Sequence, residues 1–135
     1  MPAGLGFHPW FTRRGVSAIA FTAKAVWLAD AEMLPTVRAT ADTLGDWKQG
    51  AALERPDLVD HCYAGWTGQL RIERGDGDIV LEGEDTPYLH LYVPPGQDFF
   101  CAEPQSTMPD AVNREAPAPL LPGETRTVTM RIRSA

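Results

Sequence analysis

Strict alternation of apolar and polar side chains, over short runs bounded by proline and glycine, most restricts what this chain can fold into. In "QLRIER", Leu70 and Ile72 point one way and Arg71 and Glu73 the other. In "YLHLYV", Leu89, Leu91 and Val93 share a face opposite Tyr88, His90 and Tyr92. In "TVTMRIR", Val128, Met130 and Ile132 alternate with Thr127, Thr129 and Arg131. Successive side chains of a strand point to opposite faces, so these runs read as half-buried antiparallel strands. The 12 prolines and 12 glycines keep the runs short. No segment holds a helical period through three turns, and "TADTLGDWKQGAAL" has room for one short helical turn within a loop.

"SAIAFTAKAVWLAD" reads as two further strands with a tight connection. "RGDGDIVLEG" sets Asp76-Gly77 between two strand-like runs, the signal for a hairpin closed by a type I′ turn. Its Arg-Gly-Asp string is read as chance within that turn. Short strands at regular spacing need a second sheet to cover their apolar faces. The expected fold is therefore all-β, an antiparallel β-sandwich, in which Leu70, Ile72, Leu89, Leu91, Val128, Met130 and Ile132 face a shared core. The 135 residues, with no repeat and no linker, read as a single domain over 1–135.

Charge and cysteine usage narrow the partners. A net charge of −6 without a Lys/Arg cluster argues against nucleic acid and anionic membrane surfaces, which need clustered cations. No apolar run reaches the length of a membrane span, and "MPAGLGFHPWF" has no basic leader. Cys62 and Cys101 form neither a disulfide framework nor a CxxC pair. The chain reads as cytoplasmic, with both cysteines free and behaving as small hydrophobes.

Three places carry residues suited to chemistry. "GFHPWF" sets His8 between aromatics and before Pro9, which restricts it to an extended backbone; the plain alternative is a histidine packed in an aromatic cluster. "DLVDHCYAGW" offers Asp60 and His61 at the end of an apolar run, where an Asx-turn is an equal reading. "CAEPQS" offers Glu103 and Gln105 beside the apolar "DFFC". A carboxylate held against apolar walls titrates high, which suits a general acid or base. His90, between two tyrosines in mid-strand, reads as a face residue. No metal is expected, because neither HExxH nor a metal-spaced Cys pair occurs.

"GFHPWF", "VWLADAEMLP", "DHCYAGWTGQLRI", "YVPPGQDFFCAEPQSTMPDAVNR" and "LLPGET", in that order over nearly the whole chain, resemble the C-terminal half of the aldose 1-epimerase (galactose mutarotase) family. The resemblance implies half of a galactose-mutarotase-like supersandwich. It implies that His8 donates a proton, Glu103 is the general base, and Asp60 and Gln105 hold sugar hydroxyls. Phe7 stands where the family usually has Asn. The implied substrate is an aldohexose, whose α and β anomers interconvert through the open aldehyde with no metal and no organic cofactor.

The same resemblance implies that an arginine and a second sugar-binding histidine come from an N-terminal half, and nothing before Gly6 supplies them. Self-association, or pairing with a complementary N-terminal half, is expected in consequence, as is weak activity of the chain alone. Two other readings stand beside the enzyme: a non-catalytic carbohydrate-binding or sensing β-domain, and a purely structural β-domain. Retention of both an acid and a base favours catalysis.

Overall fold

The computed structural model describes residues 1–135 and is built of two antiparallel sheets. The strands are β1 (Trp10–Thr12), β2 (Val16–Phe21), β3 (Ala25–Ala29), β4 (Pro35–Thr40), β5 (Val59–Ala64), β6 (Gln69–Arg74), β7 (Ile79–Glu84), β8 (Tyr88–Val93), β9 (Phe99–Gln105) and β10 (Thr129–Ser134). The six-stranded sheet runs β1-β9-β8-β5-β3-β4 and the four-stranded sheet β10-β7-β6-β2. The one helical element is a single 3₁₀ turn, Ala111–Asn113. The "TADTLGDWKQGAAL" segment makes turns and no helix.

The period-two pattern explains the layering. Ile19, Phe21, Leu70, Ile72 and Leu81 project from the four-stranded sheet. They pack against Val26, Val59, Tyr63, Leu89, Leu91, Val93, Phe100 and Ala102 of the six-stranded sheet. Full burial of each large aliphatic chain contributes about 1.5–3 kcal/mol. Trp47 closes the core, stacked on Phe21 and edge-on to Tyr63, with the Arg55 guanidinium 5.3 Å above its ring.

Two local expectations are corrected. β2 and β3 are joined tightly, as expected, and because they lie in different sheets Thr22–Lys24 carries the chain across the sandwich. β6 and β7 form the expected hairpin, pairing Ile72 with Ile79, but the turn is longer than a two-residue type I′ turn. Asp76 does not take the positive φ that a type I′ turn requires. Asp78 instead accepts from the Arg74 amide and the Arg71 side chain, and Asp76 pairs with Arg74.

The second correction concerns the last strand. Met130 packs against the core, Val128 is half-buried ahead of the strand, and Ile132 is 46% exposed. β10 is an edge strand bonded only to β7, so its alternation continues past the area that the opposite sheet covers.

One face of the six-stranded sheet thus makes the core, and alternation sends the intervening residues to the other face. Asp60 and Cys62 of β5, His90 and Tyr92 of β8, and Phe99, Cys101, Glu103 and Gln105 of β9 lie on that outer face. Both cysteines are buried and free.

Candidate functional site

A pocket of about 470 Å³ opens on the outer face, lined by His8, Trp10, Asp60, His90, Tyr92, Glu103, Gln105 and Pro109. Its size falls within the usual range of small-molecule sites, about 300–1,000 Å³. The register assembles it. His90 stands directly opposite Glu103, Tyr92 opposite both Asp60 and Cys101, and Trp10 opposite Cys101. His8 arrives from the extended segment ahead of β1, held by the Phe7 amide donating to the Pro104 carbonyl and by a bridge between Gly6 and Gln105.

All four residues singled out by sequence, His8, Asp60, Glu103 and Gln105, therefore line one pocket. Glu103 is the buried one, at 6% exposure. Burial pushes its carboxyl above the ordinary carboxylate range. The His90 and His8 imidazoles and the amide of Gln105, which donates to Oε2 at 3.2 Å, pull it back, and Asp60 adds a smaller upward push. A carboxyl so placed holds its proton more readily than an exposed one, which suits a general acid or base.

His8 Nε2 lies 3.3 Å from Glu103 Oε1. They are in direct contact, whereas two groups that serve different oxygens of one sugar would be expected to stand about one sugar ring apart. The His8 side chain is 60% exposed on an extended segment, so it can turn to the nearest carboxylate. It also stacks on Trp10, 5.9 Å between ring centres, and Trp10 stacks on Phe99 at 4.4 Å. The aromatic neighbourhood is thus real, but it lies at the surface and does not bury the imidazole.

Asp60 makes no Asx-turn at its strand end. Its Oδ1 lies 2.6 Å from His90 Nε2. His61 is not part of the pocket: it sits on the opposite face of β5, and its Nδ1 accepts from the Ala29 amide at 3.0 Å. Burial holds its imidazole below the usual histidine value.

His90, Trp10 and Tyr92 are pocket residues that sequence reasoning did not assign. The signal was present for two of them. The alternation of "YLHLYV" places His90 and Tyr92 on one face, and pairing of β8 with β9 turns that face toward Glu103.

His8, Cys101 and Glu103 also offer ligand atoms that all lie within 4.8 Å of one another. Imidazole, thiolate and carboxylate suit zinc by type. Burial, with smaller contributions from the Glu103 and Asp60 carboxylates, pushes the Cys101 thiol up to about 11. It is therefore a neutral thiol near pH 7, and the thiolate is the ligating form.

A larger hollow of about 980 Å³ lies elsewhere, lined by Trp66, Thr86, Glu124 and Arg126 among others. It has no histidine, and Arg126 is engaged by the carbonyls of Ala3 and Ala118. The smaller pocket pairs a carboxylate with an imidazole, and an adjoining hollow of about 480 Å³ shares His8, Glu103 and Gln105 with it.

Comparison with known proteins shows the family. The model of the family described as aldose 1-epimerase matches residues 1–133. The chain is 32% identical over 148 aligned positions to the uncharacterized protein YphB of Escherichia coli (strain K12), spanning 98% of this chain and 50% of that protein. A crystal structure from Escherichia coli K12, named "Putative aldose 1-epimerase", superposes with a TM-score of 0.78 at 31% identity, over 100% of this chain and 52% of the other. The Slr1438 protein of Synechocystis sp. PCC 6803 shares the fold, with a TM-score of 0.71 at 22% identity over 100% of this chain and 46% of its own. The chain spans about half the length of the relatives it matches.

Proposed function

This chain belongs to the aldose 1-epimerase family, and on that premise we propose that its outer-face pocket interconverts the α and β anomers of an aldohexose. The observation that carries this reading is the pairing of buried Glu103 with exposed His8 at 3.3 Å across the mouth of a polar pocket.

The ionised Glu103 takes the proton of the anomeric hydroxyl. The protonated His8 gives one to the ring oxygen as the C1–O5 bond breaks, leaving the open-chain aldehyde. Rotation about C1–C2 presents the other face of the carbonyl. Neutral His8 then recovers its proton from the O5 hydroxyl as that oxygen attacks C1, and Glu103 returns its proton to the new anomeric oxygen. Both side chains end as they began. Each positioned proton transfer contributes roughly 100- to 10,000-fold.

Binding follows from the remaining lining. Asp60 accepts from a sugar hydroxyl, Gln105 adds a further polar contact, and the Trp10 ring gives the apolar sugar face a surface to lie on. His8 must swing away from Glu103 as the sugar enters, which its exposure allows.

A complementary N-terminal half, or a second copy of the chain, is the partner this reading calls for. The edges offered are β4, with Val37 55% exposed, and β10, with Ile132 46% exposed. Unpaired strand edges invite such pairing.

The test is polarimetry on freshly dissolved α-glucose and α-galactose, with light scattering on the same sample. Faster approach to anomeric equilibrium, abolished by Glu103→Gln, supports the reading. No acceleration, alone or with a complementary N-terminal half supplied, overturns it. Sugar binding without exchange would leave a carbohydrate-binding domain.

A further inference from the structure

We propose that His90 is a positioning residue of this site: its Nε2 donates to Asp60 Oδ1 and fixes that carboxylate in the orientation in which it meets a sugar hydroxyl. The inference rests on the anomerisation reading for its purpose, though not for its test.

The placement is specific. His90 is the central residue of three cross-strand neighbours, with Glu103 opposite it on β9 and Cys62 opposite it on β5. Its Nε2 lies 2.6 Å from Asp60 Oδ1, at the short end of hydrogen-bond range and typical of a charge-assisted contact. The two side chains are 16% and 17% exposed, so the pair is partly shielded from water and fixed in geometry. The bond occupies one oxygen of Asp60 and orients the carboxylate for a substrate hydroxyl.

The same ring faces the general base. The titratable groups around Glu103 are His8 from the segment before β1, His90 from β8, Asp60 from β5 and Cys101 from its own strand. Those around His90 are Asp60, His61 and Cys62 on β5 and Glu103 on β9. His8 is mostly exposed and free to move, whereas His90 is shielded and held in place by Asp60. With His90 Nδ1 buried and without a hydrogen-bond partner, Nε2 is the ring nitrogen that carries the proton to Asp60.

The experiment reads the His90 ring nitrogens by NMR in histidine-labelled protein, identified by their loss in His90→Gln, after each variant is shown to melt cooperatively. The expected result is a proton held on Nε2 in wild type and released to rapid exchange in Asp60→Asn. An Nε2 free of proton in wild type, or one whose proton is unaffected by Asp60→Asn, overturns the proposal. If wild type proves unable to anomerise sugars, the functional reading fails while these signals still decide the role of His90. Where activity is present, His90→Phe should raise KM about tenfold with kcat little changed, and His90→Gln, which can still donate to Asp60, should fall between it and wild type.

Discussion

His8 Nε2 and Glu103 Oε1 meet at 3.3 Å, although one comes from the extended segment ahead of β1 and the other from the interior of β9. The contact joins two unlike groups. Glu103 is walled in at 6% exposure, whereas the His8 side chain is 60% exposed. A fixed base beside a movable acid suits a reaction in which two protons travel to different oxygens of one ring.

Removal of either partner should therefore stop exchange without unfolding the chain. Glu103→Gln and His8→Asn are each expected to slow anomerisation by roughly 100- to 10,000-fold. The two losses should fall short of additivity when combined, because the groups act as a unit. Polarimetric rates of the single and double variants check this. Independent, additive losses would count against a concerted pair.

Stability should depend on pH through Glu103 in a defined direction. Its carboxyl titrates higher in the folded chain than the ordinary value of about 4.3, chiefly because it is buried. The folded state thus holds this proton more tightly than the unfolded one. That contribution is fully present below the unfolded value and is lost as pH rises through the folded value. Glu103→Gln mimics the protonated form at every pH. Its Tm relative to wild type should therefore rise as pH increases above the ordinary value of about 4.3 and the wild-type carboxylate ionises. A flat or falling difference in paired thermal melts would contradict a desolvated Glu103.

Trp10 should matter for sugar and little for folding. It is 62% exposed and rests on Phe99. Trp10→Ala is expected to weaken sugar binding by about 0.5–1.5 kcal/mol, in line with other aromatic stacking contacts. The same change should alter stability by less than about 1 kcal/mol, as for surface sites in general. Calorimetric titration and urea unfolding of one preparation separate the two effects. Unchanged affinity would remove Trp10 from the pocket's function.

Two aliphatic residues that look equivalent in sequence should behave differently. Leu91 has no exposed surface, so Leu91→Ala should cost about 2–5 kcal/mol. Ile132 is 46% exposed on an edge strand, and Ile132→Ala should stay within about 0.5 kcal/mol of wild type. Equal losses in denaturant unfolding would mean that β10 is covered in solution, as a partner on that edge would require.

Local chemistry made much of this molecule legible before any coordinates. Alternation in "QLRIER" and "YLHLYV" is a direct consequence of strand geometry, so Leu70, Ile72, Leu89, Leu91 and the β-sandwich could be read from residues alone. The block "CAEPQSTMPDAVNR" likewise marked Glu103 and Gln105, because an acid beside apolar neighbours is unusual wherever it occurs. What tertiary structure decided was which faces meet. Alternation says that Ile132 shares a face with Met130, but not that the opposite sheet ends before reaching it. It puts His61 and Asp60 on opposite faces without saying which face bears the pocket. His90 could not be assigned a place in the site, because its significance lies in standing opposite Glu103 and 2.6 Å from Asp60. Period two is a property of each strand by itself, whereas register and coverage come from the pairing of strands distant in sequence. The chain writes the first residue by residue, and only the assembled sheets determine the second.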